Sequence, residues 1–537
     1  MMNVNARTRV YSLIRRRQDM AFCWNTPLHI DGNACIDPRD MRAWEAAEIR
    51  QRPGAGLYMM EVAGREVAMH ALHYHPETVL VFCGSGNNGG DGFVAAHYLR
   101  HAACNVRLFV FSDEIAKTPD ARTMFSRVLD LPRTTLLELS DVSAIPAWKD
   151  HKNLLVIDAI FGTGYRPSHS MLMTRVYQCI EELRCPIISV DIPSGIDAST
   201  GFRGEADDPS PPRAIHATET ITFGAPKTGH FCGDGPKHTG SLHCVDIGLG
   251  PWPETGLRKT ILSDEYVDAH YPAKRAIDVH KGMCGHVYVV GGCDEMPGAA
   301  ILASRAALRA GAGLVTLAST THLAPPDEIM RLSLTNDGVL DECKLELIFQ
   351  KADVILAGPG LGRTENTIKI VAKLLKFTKS LVLDADALWA LSEIGNDAFF
   401  AARDLFLTPH PGEAATLDHV PTKDVLRNPA KIALNIAQKY KANVLLKSHV
   451  THLATPKPSL ALLPYPNAAM ASAGIGDVLA GTLAAVTAQA RGGAFTQWLD
   501  ANGIAAVALS AHSRAGRAVA RRRSVVTACD LIEDLHV

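Results

Sequence analysis

Several signatures that would narrow the function quickly are missing from this chain of 537 residues. With 54 Lys and Arg against 56 Asp and Glu, the net charge is −2, so nothing electrostatic recommends nucleic acid or an anionic membrane surface as a partner. No apolar run reaches the roughly 18 residues that a membrane-crossing helix needs. The 12 cysteines never fall into CxxC or zinc-finger spacing, which argues against a disulfide framework or a structural zinc. Cys83, Cys179 and Cys244 sit in apolar segments and are expected to be reduced, buried thiols, as in a cytoplasmic protein. No short-period repeat is present, so a solenoid is excluded. The first residues carry Arg7, Arg9, Arg15, Arg16 and Arg17 but lack the apolar core of a secretory signal. Residues 1–37 are expected to be a disordered extension, or the product of a start assigned upstream of Met20, rather than a targeting segment.

What is present is ordinary globular material. At 47% hydrophobic and 20% charged residues, either half can bury its own core. Apolar runs with strand character recur in the first half at 78–83, 106–111, 154–160, 185–192, 219–225 and 241–249. Between the first two, DGFVAAHYLRHAA offers a helical apolar face through Phe93, Val94, Ala96 and Leu99, which makes a βαβ unit. Polar, proline-containing sequence from 251 to 276 reads as a linker. A second series of strands is expected at 286–292, 314–319, 353–360, 380–386, 404–410 and 443–449, followed by an apolar helix over 476–490. The pattern implies two α/β domains, the first with a mostly parallel sheet.

In the first half, CGSGNNGGDGF (83–93) follows a strand and precedes a helix, where backbone N–H groups and the helix dipole can hold an anion. It is neither GxGxxG with its downstream acid nor a P-loop, because no lysine follows. Two further loops lie just past strand ends: IDAIFGTGY, with Asp158, Gly162, Thr163 and Gly164, and VDIPSGIDASTG, with Asp191 and Ser194. Each alone is explained by turn chemistry. In an open parallel sheet, however, the carboxyl ends of the strands face one crevice, so the three loops can converge on a ligand.

The ordered set NNGGDG, DAIFGTG and DIPSGID resembles the NAD(P)H-hydrate epimerase domain, and GLYMMEVAG (56–64) is similar to that family's N-terminal helix. The resemblance spans about 38–250. It implies a Rossmann-like fold that interconverts the R and S forms of hydrated NAD(P)H. It also implies that Asn87, Asn88, Gly89, Gly90 and Asp91 hold the substrate together with Gly162, Thr163, Gly164, Tyr165, Arg166, Pro167 and Ser168. Asp191 would contact it, and Asn88, Asp158 and Ser194 would ligate one potassium ion. Oxygen donors of this kind suit a hard monovalent cation. Asp158 is the first candidate for acid/base catalysis at the epimerised carbon, a role that competes with ion binding.

In the second half, HKGMCGHVYVVGG leads into MPGAAILASRAALRAGAGLV, and GPGLG (358–362) ends another strand. LTPHPGE places His410 between two prolines in a rigid loop. The most informative stretch is NAAMASAGIGDVLAG (467–481), where the N–H groups of Gly474 to Gly476 can form an anion hole beside Asp477. A carboxylate there would repel free phosphate, but it makes sense as a base for a hydroxyl meeting a phosphoryl group.

This set resembles ribokinase-like α/β proteins, and KGxxG, MPGAA, GPGLG, TPHPGE and AxxGxGD together look like the NAD(P)H-hydrate dehydratase branch, over about 260–535 with the domain placed at 277–537. The resemblance implies that ADP or ATP, with Mg2+, phosphorylates the hydroxyl of the S hydrate, which is then eliminated to restore NAD(P)H. Ala300, Gly360, His410 and Asp477 would meet the hydrate, with Asp477 as base; Lys447, Ser448, His449, Val450, Thr451 and Gly476 would meet the nucleotide. Ser448 stands where that family commonly has glycine, and Ala473 and Ile475 where it has glycine and threonine, which bears on nucleotide affinity. The resulting expectation is a cytoplasmic, homo-oligomeric metabolite-repair enzyme with a small-molecule substrate. Two alternatives stand beside it: a ribokinase-like small-molecule kinase, and a non-catalytic N-terminal binding module like those of messenger-RNA decapping scaffolds.

Overall fold

The computed structural model describes residues 34–110, 115–129, 135–138, 142–204, 210–252, 259–336, 339–377, 379–395 and 401–537. Most of the expected N-terminal extension, 1–33, therefore lies outside the described residues. The chain divides into two compact units after residue 258.

The first unit is built on strands β1 (Thr78–Cys83), β2 (Asn105–Val110), β3 (Thr135–Glu138), β4 (Leu154–Ala159), β5 (Ile187–Val190), β6 (Glu219–Phe223) and β7 (Ser241–Val245). All pairings are parallel, in the order β3-β2-β1-β4-β5-β6-β7. Every residue of β1, β4 and β5 is buried, which is why these strands read as continuous apolar runs rather than alternating ones. The chain steps outward from β1 in both directions, so the sheet order reverses between β1 and β4, and a crevice opens there beyond the carboxyl ends. Helices α1 (Pro38–Gln51), α2 (Ala55–His73) and α3 (Asn87–His101) belong to this unit. Helix α3 begins inside the glycine-rich stretch: Asn87 and Asn88 form its first turn rather than the tip of a loop.

The cysteine expectation fails in part. Cys83 is buried, but Cys179 is half-buried and Cys244 is exposed, because β7 is an edge strand.

The second unit contains β8 (Lys259–Ile261), β9 (His286–Val290), β10 (Leu314–Ser319), β11 (Met330–Ser333), β12 (Val354–Ala357), β13 (Ser380–Leu383), β14 (Asp404–Leu407), β15 (Asn443–Leu446), β16 (Thr451–Thr455) and β17 (Ser459–Leu463). They follow the order β8-β17-β16-β15-β14-β13-β12-β9-β10-β11. The sheet is mixed, since β15, β16 and β17 pair antiparallel. Its order reverses between β9 and β12, which places a second crevice there. The helices of this unit include α4 (Pro297–Arg309), α5 (Asp386–Ile394), α6 (Pro411–Asp418) and α7 (Ile475–Gly492). From Val478 to Gln489, α7 is buried on all sides, as its nearly uninterrupted apolar composition requires. The stretch read as a linker carries strand β8 and a helix over Asp264–His270, so regular structure within it starts at Lys259. Residues 253–258 lie outside the described residues. No described helix is long and apolar enough to cross a membrane.

Candidate active sites

In the first unit, the loops after β1, β4, β5 and β6 meet at the crevice. The turn after β1 touches the turn after β4 through their backbones: a Cβ on Gly84 would lie 1.8 Å from the Ile160 carbonyl oxygen. A Cβ on Gly162 would come 3.0 Å from Asn88 Oδ1, so these two expected substrate residues are neighbours. Gly89 and Gly90 are buried where α3 packs, whereas Asn87 is exposed.

Asp158, next to last in β4, is fully buried. Its Oδ1 accepts from Ser194 Oγ at 2.5 Å and from the Ile160 N–H at 3.3 Å. Its Oδ2 accepts from Ser189 Oγ and from the Ser194 N–H, both at 2.9 Å. Burial pushes its pKa up, against the pull of those donors. Among the described residues no cationic side chain hydrogen-bonds to it. The buried Nδ2 of Asn88 has no hydrogen-bond partner.

Asp191 takes a left-handed φ of +67° just past β5. Its Oδ1 lies 2.5 Å from Lys227 Nζ and accepts from Thr222 Oγ1 at 3.2 Å; its Oδ2 accepts from the Thr163 N–H at 3.3 Å. Burial opposes ionisation, but Lys227 more than offsets it and holds the carboxyl below its usual range. Two other acids respond the opposite way. Burial, then Asp191 and Glu45, raise Asp91 well above the carboxylate range, and burial raises Glu45 to about 7. Gly162 and Thr163 thus border Asn88 and Asp191, while Arg166 hydrogen-bonds the Tyr165 carbonyl and lies 3.7 Å from Asp197. Gly164, Arg166 and Ser168 are exposed; Pro167 is half-buried, and the Ser168 N–H donates to the Tyr165 hydroxyl at 3.4 Å.

In the second unit, the turns after β9 and β12 interlock, the Gly292 N–H donating to the Pro359 carbonyl at 2.9 Å. Ala300 on α4 lies against Gly291, where a Cβ would sit 3.2 Å from Ala300 Cβ, and Gly360 lies over Met296 at the start of α4. From the same turn, the Gly362 N–H donates to Asp386 Oδ2 at 2.9 Å. Lys447, just past β15, reaches Asp384 Oδ1 at 2.7 Å, as does Thr408 Oγ1. A Cβ on Gly476 would come 3.3 Å from Lys447 Nζ, so the lysine faces the first turn of α7 that carries Asp477. Burial, reinforced by Asp384 and opposed by Lys447, raises Asp477 to about 7. Burial and Asp384 also raise Glu413, and Asp384 and Glu413 keep Lys447 above the usual ammonium range despite its burial.

His410 caps α6. Its Nδ1 accepts from the Gly412 and Glu413 N–H groups at 3.0 and 3.3 Å, and Glu413 Oε2 accepts from the His410 N–H at 2.8 Å. Ser448, His449 and Val450 form the turn joining β15 to β16, with Ser448 Oγ donating to the Val450 carbonyl at 2.7 Å; Thr451 opens β16. Ser448 has no positive φ, so its Cβ is accommodated without backbone strain. Ile475 is the first residue of α7, and its carbonyl accepts from His512 at 3.1 Å.

Residue-by-residue reading of the sequence missed Lys227, Glu45, Asp384, Asp386 and Glu413. Three had a usable signal: Lys227, Asp384 and Asp386 all lie within four residues of the end of a parallel strand, where ligands bind in such sheets. Glu45 had none, since it sits on a helix whose placement only the fold determines.

A family model described as NAD(P)H-hydrate dehydratase matches residues 287–536, and one described as YjeF-related protein N-terminus matches residues 56–229. The chain is 34% identical over 509 residues to the bifunctional NAD(P)H-hydrate repair enzyme Nnr of Moorella thermoacetica, covering 89% of this chain and 91% of that protein. It is 33% identical over 456 residues to the protein of the same description from Escherichia coli, covering 83% of each. Among solved structures, an ADP/ATP-dependent NAD(P)H-hydrate dehydratase from Bacillus subtilis, co-crystallised with ATP and Mg2+, is similar at 24% identity and a TM-score of 0.42, covering 51% of this chain and 95% of that one.

Proposed function

The chain belongs to the bifunctional NAD(P)H-hydrate repair enzymes, with epimerase and ADP/ATP-dependent dehydratase activities, and from that premise we propose how its residues divide the work. The two crevices hold the two activities, the epimerase within about 38–250 and the dehydratase within 277–537. The observation that carries the assignment is Asp477, a carboxyl raised to about 7 in the first turn of α7, beside Gly476 and Lys447.

In the second unit Asp477 takes the proton of the hydrate hydroxyl as the oxygen accepts a phosphoryl group from the nucleotide. Phosphate then leaves, where hydroxide could not, and the neighbouring ring carbon gives up its proton to water, restoring the ring double bond of NAD(P)H. Lys447 and the N–H groups opening α7 neutralise charge on the transferring phosphoryl group. Ala300 and Gly360 shape the floor for the hydrate, and His410 fixes the α6 end of the site. Lys447 to Thr451 and Gly476 line the nucleotide subsite. The gathering of Asp384, Asp386 and Glu413 about Asp477 suits a divalent cation, and Mg2+ would supply charge neutralisation at the phosphates.

In the first unit, Asn87 to Asp91 and Gly162 to Ser168 form the substrate walls and Asp191, fixed by Lys227, contacts the hydrate. Asp158 is a buried carboxylate whose partners are hydroxyl and N–H groups, a setting that a monovalent cation would balance. Together with Ser194 and Asn88 it fits K+, which would keep the carboxylate ionised. Of its two competing roles, ion holding agrees better with a carboxylate already fixed by four hydrogen bonds, two from hydroxyls and two from backbone N–H groups. The proton work of epimerisation then falls to the raised acids facing the crevice, Asp91 and Glu45. Assembly as a homo-oligomer and residence in the cytoplasm belong to the same proposal.

The test incubates the purified chain with mixed R and S hydrates, adding ADP or ATP in separate reactions, and follows NADH absorbance and both epimers. Wild type consumes both forms with one of the nucleotides. An Asp158→Ala variant stops after one epimer and Asp477→Ala consumes neither. No NADH with either nucleotide would overturn the dehydratase assignment.

A further inference from the structure

A cluster at the other end of the first sheet has no place in this chemistry. The crevice lies beyond the carboxyl ends of the strands, whereas Glu219 is the first residue of β6, and its side chain is 9% exposed. Glu219 Oε1 lies 2.5 Å from Nδ1 of His70 on α2 and 3.0 Å from Nε2 of His243 on the edge strand β7. The other oxygen, Oε2, accepts from the Tyr74 hydroxyl at 3.1 Å. The three donor atoms all lie within 4.8 Å of one another, and the two imidazole rings are 4.8 Å apart between centroids.

We propose that His70, Glu219 and His243 form a binding site for a zinc-class divalent transition metal. Two imidazole nitrogens and one carboxylate oxygen make a three-ligand set that leaves a fourth position for water. Imidazole selects such a metal over the K+ and Mg2+ of the crevices, which prefer oxygen. The remaining features of a working site are present as well. Tyr74 holds the second carboxylate oxygen and so aims the first, as outer partners of metal ligands do. The His243 side chain is 45% exposed, giving the ion a way in. Ligands bonded to one tetrahedral metal at about 2.1 Å stand roughly 3.4 Å apart, so each imidazole moves somewhat off Glu219 Oε1 while the two nitrogens, already within 4.8 Å of one another, need not separate further. Bound there, the ion ties α2, the start of β6 and the edge strand together, joining His70 to a residue 149 positions away.

The test uses the full chain, stripped with a chelator and titrated with Co2+ at about pH 7.5. Wild type is expected to develop the visible absorption of four-coordinate cobalt, saturating at one equivalent and abolished by Zn2+. His243→Gln and His70→Gln lose the band. Because His243 lies exposed on an edge strand, His243→Gln keeps the fold, checked by circular dichroism and unchanged hydrate epimerisation, even if His70→Gln loosens α2. Saturating Zn2+ raises the thermal midpoint of wild type and leaves that of His243→Gln in place. No saturable band in wild type, or a band that survives in His243→Gln, overturns the proposal.

Discussion

Lys227 Nζ and Asp191 Oδ1 sit 2.5 Å apart, and the lysine, 1% exposed, makes its other hydrogen bonds to Thr222 and to the Phe223 carbonyl. The pair fixes the carboxylate that also receives the Thr163 N–H, so it couples the loops after β4, β5 and β6.

Removing one partner should therefore cost far more than removing both. Lys227→Met leaves a buried carboxylate alone and is expected to destabilise the first unit by about 3–5 kcal/mol, with Asp191→Asn in the same chain restoring part of the loss. Denaturant unfolding of the single and double variants measures it; strictly additive losses would remove the coupling. The sign with pH follows from the direction of the shift. Asp191 ionises more readily folded than unfolded, so its contribution is present above the ordinary carboxylate pKa and is lost on acidification through the lower folded value.

Asp477 has the opposite sign. Its folded pKa of about 7 lies above the unfolded value, so the folded chain holds an extra proton below pH 7 and loses stability as the pH rises through that value. Asp477→Asn should abolish dehydration while stabilising the chain against unfolding more at pH 8 than at pH 5, by on the order of 1–2 kcal/mol once partial exposure is allowed for. In wild type, the kcat/KM of dehydration should fall below neutrality with a single ionisation near 7. A flat profile between pH 6 and 8 would dismiss Asp477 as the base.

The epimerase should respond to the identity of the monovalent cation. Comparing rates in KCl, NaCl and choline chloride at equal ionic strength, wild type is expected to be fastest in K+. Ser194→Ala removes a hydroxyl bonded to Asp158 and should shrink the difference, with a stability cost of about 1–3 kcal/mol from the donor lost to a buried carboxylate. Equal wild-type rates in all three salts would count against the ion site.

His410 serves both as a helix cap and as a proposed hydrate contact, and two variants separate these roles. His410→Ala should cost about 1 kcal/mol through the lost cap. His410→Asn keeps a cap acceptor, so its unfolding midpoint should stay near wild type while KM for the hydrate rises several-fold. Unchanged KM in both variants would leave His410 with the cap alone.

How much of the molecule is legible in its sequence depends on the physics of each element. Strands buried on both faces, such as Thr78–Cys83 and Leu314–Ser319, announce themselves as apolar runs and lie where the sequence places them. The edge elements do not. Thr135–Glu138 and Met330–Ser333 are short and partly polar, and the β16–β17 hairpin continues from a parallel strand with nothing in its composition to mark the change of direction. Around the two crevices, the motifs carry Asn88, Asp191 and Asp477 to the ends of the strands. Lys227 and Asp384, which pair with or face them, had only their place just past a strand end to mark them, because their pairing comes from a partner distant in sequence. The shape of the α3 start was also hidden: a run of glycines reads as a loop, and only packing shows it as a helix.

That last feature changes how a mutational map of this enzyme would have to be interpreted. A Cβ on Gly84 would fall 1.8 Å from the Ile160 carbonyl oxygen, and one on Gly89 1.8 Å from that of Gly84. Backbone is pressed on backbone, so the stretch is a joint between β1, β4 and α3 and has little of the suppleness its composition suggests. Intolerance of any side chain at Gly84 or Gly89 is thereby guaranteed by the scaffold, and it would persist in a relative that had given up the reaction altogether. Substitutions at Asn88, half-buried and with a buried amide that lacks a hydrogen-bond partner, are the ones in that stretch whose failure would speak of ligand.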